Sequence, residues 1–179
     1  MPKVFLSPST QEFNQYLTGG NEQLYMNLLA DRIEQNLNQN GIETGRNNPD
    51  GTFQDAIRES NAGNYDLHVA LHSNASPDIY PGLLRGPDIY YYPGSQKGSE
   101  AADIISDNLK NIYPDPELVN TLPSTSLAEL RRTNAPSVFI EIGYHDNPED
   151  EQFIKNNLDE IAQNISRSII QYLNEQGIS

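Results

Sequence analysis

The chain has 179 residues, 11 basic against 25 acidic, a formal charge of −14 and no cysteine. The absent thiols exclude disulfides, thiolate zinc sites, iron–sulfur clusters and cysteine nucleophiles, so any metal must be held by imidazole, carboxylate or amide groups. The negative average field argues against a nucleic-acid partner, and no stretch approaches the roughly 20 apolar residues of a membrane span.

The length suits a single domain over residues 1–179 with a sizeable core. The start, MPKVFLSPSTQ, lacks the basic and longer apolar regions of a secretion signal. Lys3 to Leu6, KVFL, predicts a short strand and SPSTQ a polar turn after it. Glu22 to Asn40 carries Leu24, Leu28, Leu29, Ile33 and Leu37 at helical spacing, and Gly41 closes that helix. IET, at 42–44, predicts a second strand. TFQDAIRESNA predicts a second helix with Thr52 as its cap. LHVAL predicts a strand, and PDIYYYPG another, bounded by proline and glycine. SEAADIISDNLKNIY reads as an amphipathic helix, and residues 114–126 as a loop bordering a cleft. SVFIEIGY, at 137–144, is the most continuous apolar strand signal, interrupted only by Glu141. The remainder is helical, with Leu158, Ile161, Ala162, Ile165, Ile169 and Leu173 repeating every three or four residues. Strands alternating with helices of this length predict an α/β fold, a mostly parallel or mixed central sheet flanked by helices, with a ligand site at strand carboxyl ends.

Two of the three histidines fall in one stretch, DLHVALHSNA. His72 stands where its strand is predicted to end, a place that suits metal binding, proton transfer or a hydrogen bond that fixes the loop. His68 shares its face, but four residues along a regular strand separate the Cα atoms by about 13 Å. That is too far for two ligands of one zinc, so His68 is expected to be packed or to support the site from behind. Glu141 interrupts an apolar strand, which is costly unless the carboxylate is paired, metal-bound or opened to a cleft. An ion pair to Arg131 or Arg132 is its structural explanation; acid–base chemistry is its functional one. His145 follows where a loop leaves the same strand. Glu22, at the start of the first long helix, is explained by the helix dipole when taken alone.

Taken together, DLHVALHSNA before a tyrosine-rich strand and APSVFIEIGYHDNPED near the end resemble the zinc-dependent N-acetylmuramoyl-L-alanine amidases, peptidoglycan hydrolases of bacteria and phages. The resemblance spans almost the whole chain. It implies one Zn2+ at the strand ends, His72 and Glu22 as zinc ligands, Glu141 as the catalytic glutamate, and Arg131 in a structural or substrate-facing role. His68 and Asn74 are expected to orient the loop or the substrate. One position departs from the pattern. Where the family has a zinc histidine in a segment like DPGHGG, this chain has SPSTQ, with Thr10 near the expected place and Gln11 beside it. His145 is expected to complete the site as third ligand. The resemblance implies a monomer that works outside the cell on the wall, as a phage lysin or through another release route. The alternatives are a wall-binding domain that does not cut and a metal-dependent peptidase for another amide.

Overall fold

A computed structural model describes residues 1–178. Six strands form one sheet: β1 (Lys3–Pro8), β2 (Glu43–Arg46), β3 (Leu67–Asn74), β4 (Asp88–Tyr91), β5 (Asn120–Pro123) and β6 (Ser137–Tyr144). Their spatial order is β2-β1-β3-β6-β4-β5. The left part, β2-β1-β3-β6, is parallel; β4 runs antiparallel to β6 and parallel to β5. The sheet is therefore mixed, with β3 and β6 at its centre.

Alternation along the strands divides the residues between two unequal layers. Val69 and Leu71 of β3 with Val138, Ile140 and Ile142 of β6 enter the main core. There they meet α1 (Glu22–Gln39), α3 (Gln96–Leu109), α5 (Pro148–Asn156) and α6 (Leu158–Glu175). α6 buries Ile161, Ile165 and Ile169, the stripe predicted from its periodicity. The opposite face is thinner. The apolar neighbours of Ala70 and Phe139 are Leu130 and a fringe of Tyr90, Tyr92 and Leu127, under α2 (Phe53–Ala62) and α4 (Ala128–Arg132). This thin cover leaves room for a cleft.

Local signals set the helix starts. Thr52 and Asp55 form a reciprocal capping box at α2. Asn21 accepts from Leu24 N at α1, so Glu22 is the first helical residue. Two elements fall in the stretch expected to be loop and just after it: β5, a four-residue edge strand, and α4, a five-residue helix. Both are too short for periodicity to register. β1 and β3 also run further than predicted, through Ser7–Pro8 and Ser73–Asn74, because pairing with a neighbour holds polar residues in line where composition reads as a turn. Among the described residues, no helix is long and apolar enough to cross a membrane.

Candidate active site

β3, β6, the start of α1 and the short helix α4 bring four functional side chains together, His72, Glu141, Glu22 and Glu129. Glu22 is 1% exposed. Its Oε1 accepts from His72 Nδ1 at 2.8 Å and from Ser73 N at 3.3 Å. Its Oε2 accepts from Asn14 Nδ2 at 2.6 Å, and the same Asn14 amide donates to Gln11 Oε1 at 3.0 Å. Burial opposes the Glu22 charge, but hydrogen bonds from His72, Asn14 and Ser9 outweigh it and hold the carboxyl below its usual range.

The His72 ring stacks on Phe139 with centroids 4.2 Å apart. On its other edge, Nε2 faces Glu129 Oε1 at 3.8 Å. Burial disfavours the imidazolium, yet Glu129 and Glu22 on either side, with Glu141 beyond, raise its pKa well above the usual value. Glu129 is itself buried. The hydrogen bond from His68 and the attraction of His72 more than offset that burial and lower its pKa. Its Oε2 accepts from His68 Nε2 at 2.8 Å, and His68 Nδ1 lies 3.0 Å from Ser60 Oγ. With Nε2 donating, Nδ1 of a neutral ring accepts the Ser60 hydroxyl. One chain of contacts thus runs Glu22–His72–Glu129–His68–Ser60.

Glu141 stands beside His72 in the β3–β6 register and beside Asp88 in the β4–β6 register. The residue is half-buried; its Oε2 is fully enclosed with no hydrogen-bond partner. Burial pushes its pKa up to about 7; His72 pulls it back in part, while Glu22 and Asp88 add to the rise. Among the described residues no ion pair joins it to Arg131 or Arg132, so the structural explanation offered by the sequence is absent. A cleft of about 480 Å³ opens on His72 and Glu129, lined by Ser7, Ser9, Thr10, Asn47 and Thr52. A smaller lobe of about 250 Å³ shares His72 and Glu129 and adds Leu127, Ala128 and Phe139.

A family model for N-acetylmuramoyl-L-alanine amidase matches residues 11–171. The chain belongs to the N-acetylmuramoyl-L-alanine amidase family. Its reaction is the family's, hydrolysis of the amide between N-acetylmuramic acid and L-alanine in peptidoglycan. The fold is that of N-acetylmuramoyl-L-alanine amidase AmiC2 of Nostoc punctiforme, with TM-score 0.84 and 21% identity over 97% of each chain. The CwlD amidase of Clostridioides difficile, solved with the GerS lipoprotein, gives 0.84 and 16% over 97% of this chain and 99% of that one. The catalytic domain of the CD27L endolysin, which targets Clostridia difficile, gives 0.79 and 22% over 96% and 98%. No curated protein sequence matches this chain.

Against this family the zinc site is incomplete. A catalytic zinc takes three protein ligands around one point. Glu22 Oε1 and His72 Nδ1 lie side by side and are two such donors. The third does not converge. Thr10 stands on the cleft wall where the family pattern has a histidine. His145, expected to complete the set, is not brought to the pair: its Nδ1 lies 3.0 Å from Ser73 Oγ and 3.1 Å from Ser73 O, and its ring stacks on Tyr16. The reason is alternation, because Ser73 projects from the face of β3 opposite His72, and His145 docks on that side. Among the described residues no three His, Asp or Glu side chains are arranged to hold a metal ion. The donors present do not fit a three-residue zinc centre.

The other expected residues are scattered. His68 lies behind the site, tied to it through Glu129. Asn74 turns its Oδ1 to Ala75 N at the strand end. Arg131 is exposed and lines a separate groove with Tyr92, Ser95 and Lys97 at the opposite end of β6. Glu129, the residue that sequence reasoning missed, sits in LAELRRTNAP as one charge among three, with nothing in its spacing to mark it.

Proposed function

We propose that this amidase cuts the bond between the lactyl carbonyl of N-acetylmuramic acid and the amine of L-alanine with Glu141 as both general base and general acid. The observation that carries this reading is the Glu141 carboxyl itself, with an enclosed, unpartnered oxygen and a place in β6 directly beside His72, which lines the cleft. A pKa of about 7 suits a group that must accept a proton and return it. Glu141 takes a proton from an attacking water whose oxygen adds to the carbonyl carbon. As the C–N bond breaks, the same proton passes to the departing amine. The products are a lactyl carboxylate on the glycan and a stem peptide with a free N-terminal alanine. The larger lobe, which sets hydroxyls of Ser7, Ser9 and Thr10 among the rings of Phe13 and Phe53, suits the N-acetyl sugar, and the lobe with Leu127, Ala128 and Phe139 suits the alanine methyl. Such a substrate places the work outside the cell, on the wall.

The test is digestion of purified peptidoglycan followed by mass spectrometry of new amino termini. The parent is expected to release N-terminal alanine, and Glu141→Gln to lose on the order of 10²- to 10⁴-fold in rate. Release of another terminus would replace the reading by a peptidase. A wall-binding domain without catalysis is the second reading, favoured by the incomplete donor set; it predicts co-sedimentation with walls and no new termini.

A further inference from the structure

Two phenylalanines stand on the cleft wall rather than in the core. Phe13 is 73% exposed and Phe53 46%, and both line the larger lobe, which opens on His72 and Glu129. Single exposed apolar residues are ordinary, whereas two rings on one concave wall mark a surface that a ligand covers. Local hydrogen bonds hold each in place. Phe13 lies in a turn closed by Asn14 N to Gln11 O at 3.4 Å and pinned by the Asn14 amide on Glu22 Oε2 at 2.6 Å. Phe53 is the first residue of α2, directly after its cap Thr52. Among the described residues neither ring is paired with another aromatic side chain.

Charge decides the kind of ligand. Among the described residues no lysine or arginine lines either lobe, and Glu129 is the only carboxylate there. A stem peptide brings carboxylates, which would meet that like charge and no cation. A pyranose ring is neutral. Its faces present C–H bonds, which suit the electron-rich face of a phenyl ring, and its rim of hydroxyl and acetamido groups needs donors and acceptors together. The same wall supplies both, in the hydroxyls of Thr10 and Thr52 and the amide of Gln54. Position agrees, because the lactyl group with the scissile carbonyl is carried on the sugar ring, so the ring lies next to the reacting bond. Phe53 lines the smaller lobe as well, whereas Phe13 lines the larger lobe and not the smaller.

We propose that Phe13 and Phe53 are specificity-determining residues that grip the N-acetylmuramic acid ring by its C–H faces, so that the cleft selects the neutral sugar rather than the stem peptide. The proposal rests on the amidase reading above and adds what selects its substrate.

The experiment uses the full chain carrying Glu141→Gln, which holds ligands without cutting them. Two neutral ligands are compared, N-acetylmuramoyl-L-alanine methylamide and the same lactyl-L-alanine methylamide without the sugar. Dissociation constants are read by nuclear magnetic resonance titration in this background and with Phe13→Ala, Phe13→Tyr or Phe53→Ala added. The muramoyl ligand is expected to bind more tightly than the sugar-free one. Phe13→Ala and Phe53→Ala should each cut that preference on the order of 10-fold, and Phe13→Tyr should retain it, with circular-dichroism melts unchanged. Equal affinity for the two ligands before either ring is removed overturns the sugar subsite. A preference that survives one alanine variant removes that ring from the subsite, and one that survives both overturns the proposal, even where both ligands weaken equally. Cutting is a separate readout. If the protein with Glu141 intact releases no alanine methylamide from the muramoyl ligand and no N-terminal alanine from walls, the amidase reading falls while the sugar subsite stands or falls on the titrations.

Discussion

Glu141→Gln should make the protein more stable as pH rises while it removes activity. The fold raises this carboxyl from 4.5 to about 7, which corresponds to about 3 kcal/mol at roughly 1.4 kcal/mol per pH unit. Within that window the folded chain holds a proton that the unfolded chain has lost. Parent stability therefore declines as pH climbs from about 4.5 to about 7, and levels off above. Glutamine has nearly the same shape and no charge to lose. Its amide at the enclosed Oε2 position carries a fixed cost, which shifts the whole curve and leaves its slope alone. Acid-range slopes from Glu22 and Glu129, whose pKa values are lowered, are common to both proteins and cancel in the difference. The stability difference should then grow by about 3 kcal/mol between pH 4 and pH 8 in favour of glutamine, or about 6–12 °C in Tm for a chain of this size. Urea unfolding followed by tyrosine fluorescence reads it directly, since the chain has ten tyrosines and no tryptophan. Parallel stability–pH curves for the two proteins would show that Glu141 titrates as it does in the unfolded chain, and would remove the physical basis for its role as acid and base.

Two further outcomes follow from the geometry. Thr10→His returns an imidazole to the cleft wall shared with His72, the partner of Glu22. It should raise bound zinc to about one per chain by elemental analysis, and no uptake would mean that position 10 does not address that pair. Asp150→Ala strips the acceptor from three donors, Gly86 N and Tyr144 N at 2.8 Å and Tyr113 OH at 2.6 Å, in a residue with no exposed surface. Unfolding should become easier by about 3 kcal/mol, and a loss under 1 kcal/mol in urea titrations would refute that account.

The legible parts of the fold were those written in repeating patterns. The α6 stripe and the SVFIEIGY strand stand at their predicted places because burial of one face selects apolar residues at a fixed period. The same alternation correctly set Phe139 with Glu141 along β6 and His68 with His72 along β3, and the parallel register brings both pairs to one face of the sheet. What stayed hidden depends on contacts between distant segments. Glu129 joins the site only because a five-residue helix sets it between His68 and His72, 61 and 57 positions earlier in the chain. Asn14 matters because its loop folds back on Glu22. His145 shows the converse, a plausible residue in the right neighbourhood that the pleat sends to the wrong side of the sheet.

The central pairing of β3 with β6 joins residues 67–74 to 137–144. His72 belongs to the first of these strands and Glu141 to the second, and Glu129 reaches its place only when α4 lies over β6. A growing chain exposed as far as β5 has β3 paired on its β1 side alone and holds no assembled centre. The cutting machinery of this wall hydrolase is thus among the last parts to form, and a chain broken off before residue 137 is inert toward any wall precursor it meets.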